Sequence, residues 1–189
     1  MNKKQIITIA GRPGSGKSST GKAVAAKLGY KHFSSGDLFR ALGKERGVDV
    51  LQANLSAEDN YELDHLVDGK LQEIGASEDC VVVDSRTAWH WMPNSFKVFL
   101  DLDLVVAAER ILSNMDDARL ASEHIERDPE AYALLLKNRL ESENRRYKTL
   151  YDIDPYAHSN YDLVVDTGAN NLEQVIDLIL KAYQNWLKK

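Results

Sequence analysis

The chain of 189 residues is 43% hydrophobic and 28% charged, with a net charge of −5. This size and balance are typical of one globular domain spanning residues 1–189. The negative charge argues against a general nucleic-acid binder or a membrane-surface protein, although a local arginine cluster can still bind a small anion. Cys80 is the only cysteine, which excludes an internal disulfide and a cysteine-based metal site and predicts a reducing, cytoplasmic setting. The apolar run near the N terminus is too short for a signal peptide or a membrane span.

The first elements surround a glycine-rich phosphate-binding motif. Residues 11–18 are G-R-P-G-S-G-K-S, which matches the P-loop pattern G-x-x-x-x-G-K-[ST]. The β-branched run Gln5–Ala10 before it predicts a buried strand, and Ser18–Leu28 predicts a helix after it. Backbone N–H groups and the positive end of that helix can then surround a phosphate chain. The residues expected to contact the nucleotide are Gly11, Arg12, Pro13, Gly14, Ser15, Gly16, Lys17, Ser18 and Ser19.

The last two motif residues indicate the chemistry. Lys17 is expected to reach the β- and γ-phosphates and act in catalysis, and the Ser18 hydroxyl is expected to ligate Mg²⁺. A tight turn that needs glycine for its own sake would explain the glycines but not Lys17 and Ser18 at this offset. A dinucleotide-binding fingerprint is excluded, because Ser19 stands where its third glycine would fall.

Strands and helices alternate along the rest of the chain. The further predicted strands are Lys31–Ser34, Cys80–Asp84, Phe96–Asp101 and Asp162–Asp166. The further predicted helices are Asp37–Arg46, Ser56–Ile74, Leu104–Asn114, Pro129–Tyr151 and Leu172–Leu187. This alternation predicts an α/β fold with a parallel sheet and ligands at the carboxyl ends of the strands. The apolar runs of the first strand, Val81–Val83 and Leu163–Val165 predict strands buried on both faces.

Charged residues follow the strands at the edge that carries the P-loop. Asp84 comes directly after Val81–Val83, which is the pattern of a carboxylate that holds Mg²⁺ beside a P-loop; the alternative is a residue that caps a turn. Arg86 is expected to bind an anion there, rather than to be an ordinary surface arginine.

The long helix Pro129–Tyr151 carries Arg139, Glu143 and Arg146 at positions i, i+4 and i+7, which share one face. They can form a binding face for phosphate oxygens and a sugar or base, or an exposed ladder of ion pairs worth a few tenths of a kcal/mol. Spacing alone favours the ladder. The run Trp89–Trp91 is either a platform for base stacking or ordinary packing.

Together these segments resemble the nucleoside monophosphate kinases, most closely the short cytidylate kinases of archaeal type. The segments that carry the resemblance are Gly11–Ser19, Phe33–Arg40, Asp84–Arg86, Lys97–Leu100, Glu143–Asp154 and Asp162–Thr167. The resemblance implies a five-stranded parallel sheet flanked by helices, a monophosphate-binding helical region at residues 38–75, and a small lid at residues 114–127. It also implies transfer of a phosphoryl group from ATP, with Mg²⁺, to a nucleoside monophosphate, most closely CMP or dCMP.

The resemblance also implies roles for individual residues. Arg40 would hold the acceptor phosphate, and Ser35 and Gly36 would line its pocket. Arg86 and Arg139 would hold that phosphate or the base edge, Glu143 the acceptor nucleoside, and Arg146 a phosphate. Asp37 and Asp84 would organise Mg²⁺ and its waters.

The lid departs from the family pattern. Relatives place basic residues just after the helix that follows the fourth strand, whereas here residues 113–117 are neutral and then acidic. Arg119 and Arg127 are therefore the candidates for the closing catalytic charge, with Arg110 as a third.

Two alternatives stay open on the sequence. One is a P-loop kinase of another small acceptor, whether a different nucleoside monophosphate or a non-nucleotide. The other is a nucleotide-dependent switch without enzymatic activity, although the guanine-recognition motif N-K-x-D is absent. In either kinase case the partner is a small molecule, and we expect a monomer.

Overall fold

The carboxyl ends of five parallel strands form the edge on which the site is built. The computed structural model describes residues 4–45, 62–116, 120 and 125–189. The strands are β1 (Ile6–Gly11), β2 (Lys31–Ser34), β3 (Val81–Asp84), β4 (Phe96–Asp101) and β5 (Leu163–Asp166). They pair in the order β2-β3-β1-β4-β5, and every pairing is parallel. The predicted α/β fold with a five-stranded parallel sheet is confirmed.

The helices alternate with the strands as predicted. They are α1 (Lys17–Leu28), α2 (Ser35–Glu45), α3 (Glu62–Ser77), α4 (Ala88–Trp91), α5 (Leu104–Ser113), α6 (Pro129–Tyr151) and α7 (Leu172–Leu187). The short α4 and a 3₁₀ turn at His158–Asn160 were not predicted. The helix predicted to start at Ser56 is seen from Glu62 onwards, since residues 46–61 lie outside the described ranges.

The longest helix, α6, begins at a side-chain cap. The Asp128 side chain accepts from the backbone N–H groups of Glu130 and Ala131, and Pro129 occupies the first turn. Such capping satisfies N–H groups that have no partner inside the helix. The helix ends at Tyr151, and the next residue, Asp152, has a left-handed φ of 55°.

Apolar side chains cover both faces of the central strands. One cluster joins Ile7, Ile9, Val98 and Leu100 to α1 and α7, and the other joins Ile6, Val81 and Val83 to α3. Every residue of β1 and β3 is buried, which fixes the strands whose carboxyl ends carry the P-loop and Asp84.

The prediction that β5 is buried on both faces is wrong. Val164 is 38% exposed, and only Val165 of this strand is buried. An apolar run looks the same in a central strand and in an edge strand, and here β5 occupies the edge beside β4. No helix in the described ranges is both long enough and apolar enough to cross a membrane.

Candidate active site

The P-loop is shaped by two close approaches of the backbone. A Cβ on Gly11 would lie 2.3 Å from the carbonyl oxygen of Leu100 in β4, and the Arg12 N–H donates to that same oxygen at 3.1 Å. Gly16, with φ 81° and ψ 21°, forms the left-handed residue at the start of α1. Glycine adopts this conformation without strain, so the loop curls around the N-terminal end of α1 as phosphate binding requires.

Arg12 fixes the loop to the neighbouring strand. Its Nε donates to Asp101 Oδ1 at 2.6 Å, and the other oxygen of Asp101 lies 3.2 Å from His158 Nε2. Both side chains of the Arg12–Asp101 pair are partly exposed. Asp101 therefore joins the P-loop to the segment between α6 and β5.

Lys17 lies in the middle of the site. Its Nζ donates to the backbone oxygen of Arg12 at 3.1 Å. Burial, together with the nearby positive charge of Arg86, lowers the pKa of Lys17 to about 7, although Asp84 and Glu143 act in the opposite direction. An anion bound beside the ammonium group would favour its charged form, so this lysine is suited to bind phosphate.

Asp84 is buried where β3 ends and collects three polar partners. Its Oδ1 accepts from Ser18 Oγ at 3.3 Å and from Ser34 Oγ at 3.1 Å, and its Oδ2 lies 2.8 Å from His32 Nε2. His32 and Ser34 were not predicted. The signal that could have found them is the pairing of β2 with β3, which places Ser34 opposite Asp84.

The oxygens of Ser18 and Asp84 fit a magnesium ion. Mg²⁺ prefers oxygen ligands and keeps waters and substrate phosphates in its shell, so it needs only one or two protein groups. Within the described ranges, no group of three or more His, Cys, Asp or Glu side chains is arranged to enclose a metal.

An open cleft lies beside Ser85 and Arg86, which directly follow β3. Most of the predicted acceptor residues meet there. Its lining includes Ser35, Gly36, Arg40, Arg86, Arg139 and Arg146. Four guanidinium groups on one small cleft indicate an anionic ligand. Asp37 forms an ion pair with Arg40 at the exposed start of α2.

Glu143 anchors the arginines on one side of the cleft. It lies 2.9 Å from Arg86 Nε, and it accepts from Arg139 Nε at 3.0 Å and from the Tyr156 hydroxyl at 2.6 Å. Burial alone would raise its pKa, but Arg86, Arg139 and the Tyr156 hydrogen bond lower it to about 2. Tyr156 was not predicted. It lies beyond the end of α6, so helical spacing could not indicate its hydrogen bond with Glu143.

The exposed-ladder interpretation of this face of α6 is wrong for two of its three residues. Glu143 is only 4% exposed and Arg146 only 8%. Arg146 Nε lies 3.2 Å from Asp64 Oδ2 on α3, a partner that sequence spacing could not indicate. Only Arg139, with a side chain 46% exposed, has the accessibility of a surface ion pair.

Replacing Glu143 by glutamine should destabilise the protein by about 3–5 kcal/mol, because Arg86 is left buried without its counter-charge. The difference in unfolding free energy between the wild type and Glu143→Gln should also depend on pH. The Glu143 pKa is about 2 when folded, against 4.5 for the free side chain. Its contribution is therefore complete above pH 4.5, and about 3 kcal/mol of it is lost as the pH falls towards 2.

Urea denaturation of the wild type and Glu143→Gln between pH 3 and 7 measures both effects. Glu141→Gln is the matched control, since Glu141 is exposed on the same helix. Equal stability of Glu143→Gln and wild type at pH 7 would contradict the proposed importance of this ion pair.

The Trp89–Trp91 run packs rather than offering a free platform. Trp91 Nε1 donates to Asp68 Oδ1 at 2.9 Å, and Trp89 Nε1 donates to the Arg86 carbonyl at 2.9 Å. The rings contact Tyr151 and Tyr161 edge to face. These contacts favour the packing alternative, in which α4 supports the segment that carries Arg86.

Two of the three candidates for the closing charge of the lid, Arg110 and Arg127, lie within the described residues. Arg119 lies outside the described residues. Arg127 Nη2 donates to the Met115 carbonyl at 3.4 Å, and Arg110 Nη2 donates to the Thr167 carbonyl at 2.7 Å. The lid assignment at residues 114–127 and the helical region at 38–75 therefore stay predictions.

Residues 6–169 match the model of the cytidylate kinase-like family. The chain belongs to this family. It is 36% identical over 184 residues to a cytidylate kinase of Natronomonas pharaonis, covering 94% of this chain and 90% of the relative. It is 34% identical over 191 residues to a cytidylate kinase of Methanocaldococcus jannaschii, covering 97% and 99%.

Solved structures agree on the fold. A shikimate kinase from Bacteroides thetaiotaomicron superposes with a TM-score of 0.63 at 14% identity, covering 95% of this chain and 98% of that one. A gluconokinase from Sinorhizobium meliloti gives a TM-score of 0.61 at 21% identity, covering 100% and 96%. At these identities the likeness concerns the fold alone. The family match confirms the predicted resemblance and identifies an ATP-dependent kinase.

Proposed function

We propose that the protein transfers the γ-phosphoryl group of ATP to CMP or dCMP. One observation carries the proposal: Asp84 accepts a hydrogen bond from Ser18 of the P-loop, and Arg86, two residues after Asp84, lines the arginine-rich cleft. The P-loop and the arginine-lined cleft are therefore neighbours, as a donor site and an acceptor site must be. The choice of CMP or dCMP as the acceptor rests on the relatives that bear the name cytidylate kinase.

In the proposed reaction, an oxygen of the acceptor phosphate attacks the γ-phosphorus of ATP. The bond from that phosphorus to the β–γ bridging oxygen breaks, and the electron pair leaves with ADP. Lys17 and the P-loop N–H groups hold the donor phosphates, while Arg40, Arg86 and Arg139 hold the acceptor phosphate. Catalysis is then alignment and neutralisation of charge, with no covalent enzyme intermediate.

Ser18 and Asp84 would hold Mg²⁺ in this proposal, and Asp37 would orient its waters. When bound, the ion neutralises charge on the β- and γ-phosphate oxygens. Ser34 and His32 keep the Asp84 carboxylate in place through their contacts with its two oxygens.

An acceptor panel tests this function. ATP consumption is measured with CMP, dCMP, UMP, AMP, GMP, shikimate and gluconate. The last two are included because two proteins of similar fold are named shikimate kinase and gluconokinase. We expect CMP or dCMP to exceed AMP and GMP by at least about 10²-fold in kcat/KM, since a site built to hydrogen-bond one base leaves polar groups unpaired with another.

Other outcomes would replace the proposal. A clear preference for AMP would move the protein to another nucleoside monophosphate, and a preference for shikimate or gluconate would favour a non-nucleotide kinase. Slow ATP hydrolysis without any accepted substrate, stimulated by a protein partner, would favour the switch.

The lid makes a separate prediction. Because residues 113–115 lack basic side chains, we expect Arg119 or Arg127 to supply the closing charge when both substrates are bound. Arg119→Ala and Arg127→Ala are measured separately, and one of them should lower kcat by about 10²-fold. Two neutral results would reject both residues and direct attention to Arg110.

We also propose a monomer located in the cytoplasm. The single cysteine supports a reducing compartment. Light scattering during gel filtration measures the oligomeric state directly, and a mass near twice 21.3 kDa would contradict the monomer.

A further inference from the structure

One tyrosine hydroxyl is joined to the charge cluster that holds the acceptor arginines. Tyr156, in the segment between α6 and β5, donates to Glu143 Oε2 at 2.6 Å. The same carboxylate oxygen lies 2.9 Å from Arg86 Nε, while Oε1 accepts from Arg139 Nε at 3.0 Å. Glu143 therefore connects Tyr156 with two of the arginines that line the cleft.

The hydroxyl supplies a direction that the pairing of Arg86 with Glu143 lacks. Arg86 Nε makes no hydrogen bond within the described part of the chain, although it lies within ion-pair distance of Glu143. The Coulomb energy of two charges depends on their separation, whereas a hydrogen bond weakens steeply as its angle departs from linear. The Tyr156 hydrogen bond can therefore fix Oε2 of Glu143, which ion pairing with Arg86 alone would leave free to turn.

The same hydroxyl remains a donor at physiological pH. Burial raises the pKa of Tyr156 well above its usual value, although the nearby Arg86 acts in the opposite direction. Its partner Glu143 is ionised, and an ionised carboxylate only accepts hydrogen bonds. A bond from a neutral hydroxyl to a carboxylate is charge-assisted and stronger than a bond between two neutral groups. Tyr156 can thus orient the carboxylate without adding a charge to the arginine cluster.

The sheet fixes the segment that carries Tyr156. The Tyr161 hydroxyl donates to the Pro155 carbonyl at 2.5 Å. The rings of Tyr161 and His158 both pack against Phe99 of β4, with centroid distances of 4.9 and 5.2 Å. Because these contacts involve residues on either side of Tyr156 in the chain, they hold its position independently of α6.

We propose that Tyr156 is a positioning residue for the acceptor phosphate, and that its hydroxyl orients Glu143 so that Arg86 and Arg139 present their guanidinium groups to the cleft. Both arginines line the cleft, whereas Tyr156 and Glu143 are not among its lining residues. Tyr156 therefore acts through Glu143 rather than by touching the acceptor. The inference rests on the proposed function and deepens it, because it adds to the acceptor site a residue that neither helical spacing nor the family resemblance indicated.

The test begins with Tyr156→Phe, which removes the hydroxyl and keeps the ring. At saturating ATP, kcat/KM for CMP should fall by about 10-fold, through KM more than kcat, because the arginines are present but no longer held in the geometry that binds the phosphate. The KM for ATP should stay unchanged. Tyr161→Phe is the matched control, since it removes a hydroxyl of the same segment whose partner is a backbone carbonyl. It should lower thermal stability and leave CMP kinetics unchanged.

A comparison of CMP with cytidine gives a readout that a merely structural role would not move. Cytidine lacks the phosphate, so its affinity does not depend on arginines that bind a phosphate. Calorimetric titration with CMP should show about 10-fold weaker binding in Tyr156→Phe than in Tyr161→Phe. The inhibition constant of cytidine, measured in competition with CMP, should be the same in both variants.

The outcomes separate the two proposals. If the wild type phosphorylates CMP, three results would each overturn the positioning role alone: wild-type CMP kinetics in Tyr156→Phe, equal losses in Tyr156→Phe and Tyr161→Phe, or equal weakening of CMP and cytidine. Wild-type enzyme that phosphorylates no nucleoside monophosphate would overturn the proposed function and this inference with it.

Discussion

Lys17→Ala should lower turnover by about 10³-fold or more while the protein stays folded. In the proposed reaction Lys17 is the cation nearest to the transferring phosphoryl group, and groups that stabilise charge only in the transition state contribute mostly to kcat. The loss should therefore appear at saturating ATP and saturating acceptor alike.

The same substitution should leave stability unchanged or slightly raised. Burial and Arg86 lower the Lys17 pKa to about 7, so at neutral pH the folded protein gains nothing from holding this charge. Lys22→Ala is the control, because Lys22 is exposed on the same helix. Steady-state kinetics measure the turnover of both variants, and thermal unfolding measures their stability. Near-wild-type kinase activity in folded Lys17→Ala would contradict the assignment of the P-loop as the ATP site.

Arg139→Ala should lower kcat/KM for the acceptor by about 10²-fold and change the KM for ATP little. Its guanidinium is held by Glu143 at 3.0 Å on the edge of the cleft, and its side chain is 46% exposed. A charge-assisted bond to the acceptor phosphate would be lost at the reacting group. If Arg139 only formed a surface ion pair, its loss would cost at most about 1 kcal/mol of stability and no activity.

Acceptor kinetics at saturating ATP separate these cases. Lys137→Ala is the matched control, since Lys137 is exposed on the same helix and does not line the cleft. Wild-type acceptor kinetics in Arg139→Ala would show that this part of α6 is structural, and the arginine cluster would then lose its exposed member on that helix.

The local features of the site were predictable because each depends on neighbours in the chain. The P-loop needs a strand, glycines at fixed offsets and the start of a helix, all within Ile6–Leu28. The helix caps at Asp128 and Asn171 likewise act within one helical turn. The alternation of strands and helices implied parallel pairing, because each crossover helix returns the chain to the same edge of the sheet.

The partners of the buried charges were not predictable in this way. Spacing on α6 suggested that Arg139, Glu143 and Arg146 pair only with each other, whereas Glu143 also binds Arg86 and Tyr156, and Arg146 meets Asp64. The same spacing has a different consequence when the side chains are buried. An exposed ion pair contributes only tenths of a kcal/mol, whereas removing one partner of a buried pair is strongly destabilising, because it leaves the other charge without compensation.

The sequence by itself therefore determined the P-loop, the α/β class, the family and the helix face that borders the cleft. Only the tertiary structure decided that β5 is an exposed edge, that His32 and Ser34 hold Asp84, and that Asp64 faces Arg146. The division has one physical cause: backbone conformation and periodicity are set by near neighbours, whereas burial and charge pairing are set by segments far apart in the chain that meet only when the sheet and its helices pack.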